Sequence, residues 1–273
     1  MVNGYFMKLS IVLSTQPASF QAATFKGNLE ENLQLIASLG YDGVELAIRD
    51  PRLLDMDAIE KSILACGLSV PAIGTGQAWG EEGLSFTDPD PSIRRRAIER
   101  IHSHLPTAQR FGAVLIIGLI RGIVKPGVEA AQAMAWLVEA LQECCSEAIK
   151  FGVNLALEPI NRYETTLINS TVQGLDLIQR VDAGNFGLLL DTFHMNIEEA
   201  SIESSIRTCA SHIFHFHVAD SNRWHPGAGH LDFTSILAAL QTTGYKGWVS
   251  GEFLPLPDTG TAARESIKFL KSL

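Results

Sequence analysis

Eight short apolar runs, rich in branched residues, recur along the chain, and longer stretches with helical spacing lie between them. The runs are KLSIVLS (8–14), DGVELAI (42–48), LSVPAIG (68–74), AVLIIGL (113–119), VNLALEP (153–159), FGLLLD (186–191), HIFHFHV (212–218) and GWVSGEF (247–253). Each suits a strand buried on both faces. Helical spacing covers 29–39, 56–66, 91–111, 128–150, 171–181, 202–209, 233–243 and 262–273. Strands that alternate with helices form a parallel sheet, because a parallel pair needs a long crossover. Eight such units within 273 residues predict an α/β fold, the closed (β/α)8 TIM barrel. The expected organisation is a single domain over 1–273, with 1–7 as an N-terminal tail. The alternative is an open doubly wound sheet, whose phosphate fingerprint is GxGxxG. The one glycine-rich stretch, GTGQAWG (74–80), lacks that spacing.

Helix ends are marked too. Helical stretches run into Gly40, Gly67, Gly112, Gly152 and Gly244 just before the next apolar run. Glycine takes the left-handed conformation that closes a helix.

Composition narrows the function classes. With 46% hydrophobic residues, the chain can bury a substantial core without metal or disulfide staples. A net charge of −9 is the wrong sign for a general polyanion binder, so no nucleic-acid partner is expected. Cys66, Cys144, Cys145 and Cys209 show no CxxC spacing, which fits a reducing, cytoplasmic setting. No apolar run reaches the ~18 residues of a membrane span, and the first residues lack the pattern of a secretion signal.

The later apolar runs end in ionisable residues. The fifth ends at Glu158, the sixth at Asp191 and the eighth at Glu252, and the seventh carries His217. In a barrel, the C-terminal strand ends converge on one mouth, where active sites are built. An isolated buried carboxylate is very costly, so several together need a cation or shared protons. Any one acid after a strand can be an ordinary helix cap, and Asp191 alone reads equally well that way. Four consecutive strands ending so are better explained by one site. Three carboxylates and one imidazole make a ligand set for one divalent metal ion. Its oxygen-rich character suits Mn2+, the expected ion, with Mg2+ and Co2+ as alternatives, better than a structural Zn2+ site. His215 lies two residues before His217 and so one layer deeper, as a packed, hydrogen-bonded core histidine.

At these residues the chain resembles a known family. LEPINRYET, LLDTFHMNIEE, HFHVADSNRWHPGAGHLDF and GEFLP are similar to the signature segments of the xylose-isomerase-like barrels, and within them of the D-tagatose 3-epimerase type. KLSIVLST, FKGNLEENL, VELAIRDP, AIGTGQAWGEEGLSFT and IIGLIRG further resemble one branch, the 5-keto-L-gluconate epimerases that form D-tagaturonate. One departure is Ala228, where a bulkier acidic residue is common in sugar epimerases of this type. The resemblance implies a metal-dependent carbohydrate epimerase with a sugar or sugar-acid substrate, assembled as a dimer or tetramer. It implies metal ligation by Glu158, Asp191, His217 and Glu252, with Zn2+ also among the ions such sites accept. It implies substrate contacts from Glu164, His194 and Arg223, the last two at the oxygens of C1 and C2.

Epimerisation beside a ketone needs a base on one face, an acid on the other, and stabilisation of the developing enediolate. Glu158 and Glu252 are the expected catalytic pair. A substrate carboxylate would want a further cation, for which Arg121 is the leading choice, with Arg49 and Lys125 behind it; each taken alone reads more readily as a solvated or salt-bridged charge. Trp79 and Trp224 are candidates to wall off the sugar, or simply to pack. Two other functions use similar parts. An aldose–ketose or hydroxypyruvate-type isomerase would share the metal and the carboxylates. An endonuclease-IV-like hydrolase would want more histidine ligands and a basic groove, which the charge disfavours.

Overall fold

The computed structural model describes residues 7–273, so all of the expected tail but Met7 lies outside the described residues. The elements in chain order are β1 (Lys8–Ser14), α1 (Leu29–Leu39), β2 (Gly43–Ala47), α2 (Met56–Ala65), β3 (Ala72–Gly74), α3 (Gln77–Glu82), α4 (Pro91–Phe111), β4 (Val114–Ile117) and α5 (Ala130–Lys150). There follow β5 (Leu155–Leu157), α6 (Thr171–Val181), β6 (Phe186–Asp191), α7 (Thr192–Glu198), α8 (Ile202–Cys209), β7 (Ile213–Val218), α9 (Phe233–Thr242), β8 (Trp248–Gly251) and α10 (Thr259–Leu270). Each strand pairs in parallel with its neighbours in sequence, and β8 pairs with β1, closing a barrel of eight. The (β/α)8 expectation holds, and the open sheet is excluded.

The five glycines expected to end helices all have positive φ: Gly40, Gly67, Gly112, Gly152 and Gly244. They return the chain from the outer ring to the bottom of the next strand. The strands are mostly shorter than their apolar runs. β3 and β5 have three residues each, because pairing stops where loops turn away at the rims. Glu158 and Glu252 therefore stand just beyond β5 and β8, and Asp191 is the last residue of β6.

Two helices were not anticipated. Helix α3 occupies the GTGQAWG stretch, and α7 follows Asp191 directly. Both are too short to show a periodic apolar face. The last helix lies at Thr259–Leu270 rather than 262–273, because the Asp258 side chain accepts from the Thr261 N–H and fixes the first turn earlier.

The main core lies between the outward strand faces and the helices, around residues such as Leu46, Leu115, Leu188 and Phe216. The lumen is filled differently. One side is apolar, with Ala72, Ile116, Ala156 and Leu189. Ser10, Glu45, His215 and Ser250 are also buried, each on a strand at lumen-facing register. Between β6 and β7 the register shifts: Leu188 pairs with Ile213, but Leu189 pairs with His215. The extra residue, Phe214, resembles a β-bulge that re-aims the strand after it. It brings His215 level with Leu189 and His217 level with Asp191.

Candidate active site

The barrel mouth gathers the four strand-end residues into one cluster. One potential ligand atom each from Glu158, Asp191, His217 and Glu252 lies within 4.8 Å of the other three. The His217 Nδ1 stands 3.7 Å from Asp191 Oδ2 and 3.9 Å from both Glu158 Oε1 and Glu252 Oε2. These separations are too long for hydrogen bonds. They fall inside twice a typical metal–ligand bond of about 2.1 Å. Glu158 Oε1 and His217 Nδ1 are buried with no hydrogen-bond partner. Buried polar atoms are nearly always satisfied, so two orphans aimed at one point fit a cation. The donor set of carboxylates and one imidazole nitrogen fits a divalent one.

Electrostatics tells the same story. Burial pushes the Glu158 carboxyl well above the usual range, and the Glu252 charge adds to it. Burial lifts Glu252 to about 7 although His217 and Arg223 pull it down. Asp191 is raised by burial against the pull of His217, Arg223 and the N–H groups of Phe193 and His194. Burial alone would depress His217, yet the surrounding carboxylates, Glu45 foremost, lift it to about 10. Without a cation these groups hold protons, which is what a site built for positive charge does when proton binding is its only relief.

Asp191 is a cap as well as a cluster member. Its Oδ1 accepts from the N–H of Phe193 and of His194, starting α7. The two readings of Asp191 therefore do not compete, since one oxygen caps and the other faces His217.

Three substrate-contact expectations converge on the same cavity. It measures about 240 Å³, smaller than the usual drug-sized pocket. Glu164, His194 and Arg223 line it together with Glu158, His217 and Glu252. Val12, Phe20, Trp79, Ile116, Leu119 and Ile160 supply much of the rest. The Arg223 Nη1 donates to Glu164 Oε1 at 2.8 Å, and Nη2 lies 3.6 Å from Glu252 Oε2. Its guanidinium also sits over the rings of Phe193 and Phe20, 4.8 and 5.5 Å from their centroids. Arg223 has φ +62, and the turn holding it is clasped by Asp220. The Asp220 carboxylate is fully buried and accepts from the N–H groups of Ser221, Gly227 and Leu231.

The proposed cations for a substrate carboxylate do not reach the cavity wall. Arg121 is fully buried, donates from Nη1 to the Ile168 carbonyl, and is not part of the cavity wall. Its position on a short 3-10 turn after β4 folds the side chain under the Ile168 loop, and burial lowers it to about 10. Lys125 pairs with Asp88, and Arg49 lies 3.5 Å from Glu82. Neither lines the cavity, nor does Trp224. Among the described residues, Arg223 is the one Lys or Arg on the cavity wall.

Two buried residues escaped the sequence reading. The Asn161 amide donates from Nδ2 to His194 Nδ1 at 2.8 Å and to Glu164 Oε1 at 2.9 Å. Its Oδ1 accepts from the Tyr163 N–H, which fixes the amide orientation. His194 Nδ1 is therefore an acceptor, and Nε2 carries the proton, 3.6 Å from Glu158 Oε1. Burial, with Arg223 and Arg121 nearby, holds His194 well below its usual range, so it stays neutral. Glu45, from the middle of β2, lies 2.8 Å from His215 Nε2 and 2.9 Å from His217 Nε2. The same three residues form a second close-set group of possible ligands, here linked by hydrogen bonds. Burial works against an ionised Glu45, but the two histidines prevail and hold it below the usual carboxylate range. His215 is thus the packed, hydrogen-bonded histidine expected. A carboxylate inside an apolar run, VELAI, was the available signal for Glu45.

Among the described residues no helix is long and apolar enough to cross a membrane. Known proteins share this architecture. The family model described as a xylose isomerase-like TIM barrel matches residues 33–273. An L-ribulose 3-epimerase of Mesorhizobium japonicum is 32% identical over 228 residues, which is 83% of this chain and 75% of the relative. A 3-dehydro-D-guloside 4-epimerase of Escherichia coli is 27% identical, over 92% of this chain and 97% of its own length. The solved structure of a D-allulose 3-epimerase from Methylomonas sp., in complex with D-allulose, superposes with a TM-score of 0.84 at 25% identity, covering 97% of this chain and 96% of that one. With its barrel closed, its strand-end cluster formed and its sequence matched over most of its length, the chain belongs to the xylose isomerase-like TIM-barrel family.

Proposed function

We propose that this protein is a divalent-metal-dependent sugar epimerase, inverting a carbon beside a ketone in a ketose or keto-uronate. It is an enzyme of the isomerase class. The observation that carries the reading is the buried cluster of Glu158, Asp191, His217 and Glu252, with two ligand atoms left without hydrogen-bond partners 3.9 Å apart. These four residues would hold the ion, Mn2+ being the expected one. When bound, the ion supplies Lewis-acid stabilisation of negative charge developing on the substrate carbonyl.

The rest of the chemistry belongs to the side chains. Glu158 and Glu252 come from β5 and β8, well separated around the barrel, and both are raised toward neutrality. One can take the proton from the carbon while the other returns a proton to the opposite face. His194, neutral and with Nε2–H turned toward the cluster, donates to a substrate oxygen. Arg223 offers its planar fork to neighbouring oxygens. Phe20, Trp79, Ile116 and Ile160 keep water from the reacting carbon.

Two substrate classes compete within this reading. The N-terminal motifs point to interconversion of 5-keto-L-gluconate and D-tagaturonate. A neutral ketose is favoured by the cavity wall, where Arg223 is the one Lys or Arg and is already engaged by Glu164. Relatives named as epimerases of L-ribulose and D-allulose support the neutral class. DNA hydrolysis finds no support, since Glu45, Glu81, Glu158, Glu164 and Glu252 on the wall would repel a phosphodiester.

The test is proton exchange. Metal-stripped protein is reloaded with Mn2+ and incubated in D2O with D-tagaturonate, D-tagatose or D-fructose, then quenched, freed of metal and read by NMR. Deuterium beside the ketone with a new epimer signal is expected for one class. No exchange with any of the three, despite bound metal, would refute the assignment for these substrates.

A further inference from the structure

We propose that Glu45 is a positioning residue for the metal centre, setting which nitrogen of His217 is free to bind the ion. This rests on the metal-dependent reading of the mouth. A histidine that binds a metal must present a bare nitrogen, and the hydrogen bond at the other nitrogen decides which one that is. His217 turns Nδ1 toward Glu158, Asp191 and Glu252, and Nε2 toward Glu45, 3.1 and 2.9 Å from its two oxygens. An ionised carboxylate can only accept. Nε2 must therefore keep a proton, so the nitrogen that His217 can bare for an ion is Nδ1, on the cluster side.

Glu45 is itself held in place. It rises from β2 and reaches His217 on β7 across the lumen, for β1 and β8 lie between them in the barrel. His215 Nε2, two residues earlier on the same strand, donates to Oε2 at 2.8 Å. The two imidazole rings stand edge to face, 80° apart, and close on the carboxylate from neighbouring layers. All three side chains are 1–2% exposed, so no bulk water competes for these bonds. The device has a specific weakness. Glutamine loses the charge, and with its oxygen at the Oε2 position, which both imidazoles reach, its amide N–H end would face the His217 Nε2–H from the Oε1 position. Aspartate keeps the charge but withdraws the oxygens by one methylene.

The experiment is titration calorimetry of Mn2+ into metal-stripped wild-type, Glu45→Gln and Glu45→Asp proteins, with the visible absorption of the Co2+ forms as a second readout. Outer-shell partners of ligating histidines are worth about 10- to 100-fold in metal affinity. We expect losses in that range for both variants, and a Co2+ spectrum altered from wild type. If Glu45→Gln does not fold, Glu45→Asp decides alone. A folded variant with wild-type affinity and a wild-type Co2+ spectrum overturns the proposal while leaving the metal reading intact. A wild-type protein that binds no divalent ion overturns the reading beneath and this proposal with it.

Discussion

Neutralising Glu252 without changing its shape should stabilise the metal-free protein while abolishing turnover. The wild-type carboxyl is buried and lifted from 4.5 to about 7, although His217 and Arg223 lie within 4 Å of it. A carboxyl whose folded pKa is raised binds its proton more tightly in the native state. Its contribution to stability is complete below the unfolded pKa and is lost as pH rises through the folded value. At pH 8.5 the ionised Glu252 therefore costs about 3 kcal/mol relative to a neutral group, at about 1.4 kcal/mol per pKa unit. At pH 5 the cost is less than about 1 kcal/mol, because the native carboxyl is still protonated. Glu252→Gln removes the ionisation. For a chain of this length, 1 kcal/mol corresponds to roughly 2 °C in Tm. Scanning calorimetry in EDTA should then show the variant about 6 °C above wild type at pH 8.5, with the gap shrinking below about 2 °C at pH 5. Epimerisation should fall to background at both pH values. A variant less stable than wild type at pH 8.5, or one whose advantage does not shrink on acidification, would refute the account of a site strained by its own charge.

Other perturbations test other parts. Adding Mn2+ at about 100 times its Kd should raise stability by about 3 kcal/mol, or roughly 5 °C in a thermal scan, and no shift would contradict a metal site in the mouth. Asp220→Ala strips three backbone N–H groups of their acceptor in a buried turn. It should cost about 3 kcal/mol in urea unfolding and raise KM through the loosened Arg223, whereas an unchanged midpoint would show the clasp to be redundant. Arg223→Lys cannot span Glu164 and Glu252 with one ammonium; kcat/KM should fall at least about tenfold, and wild-type kinetics would remove Arg223 from the binding machinery. Asn161→Asp replaces the donor to His194 Nδ1 by an acceptor. The His194 proton should move to Nδ1, visible in the ring nitrogen shifts, and an unmoved proton would show that Asn161 does not set it.

Much of this molecule can be read along the chain, and the reasons are local. A strand buried on both faces must be apolar throughout, so the eight runs stand out without any knowledge of their partners. A helix closed by a left-handed residue calls for glycine, and the five glycines followed by apolar runs all adopt that conformation. Parallel strands joined by helices then leave few topologies, and a carboxylate at a strand's C-terminal end is drawn toward the mouth by the barrel geometry. Glu158, Asp191, His217 and Glu252 could be grouped because each occupies the same place in its own repeat.

What the tertiary structure alone decided is every relation between side chains far apart in sequence or aimed by local detail. Arg121 follows a strand as a mouth residue should, yet the 3-10 turn at Leu119–Arg121 carries it behind the wall. The β6–β7 register shift determines that His215 stands level with Leu189 and His217 with Asp191. Asn161 orients His194 from 33 residues away, and Glu45 meets His217 across 172. No periodicity records such meetings. Hydrophobic pattern and backbone conformation are properties of neighbouring residues, whereas the satisfaction of a buried carboxylate depends on which strands the closed barrel places opposite one another.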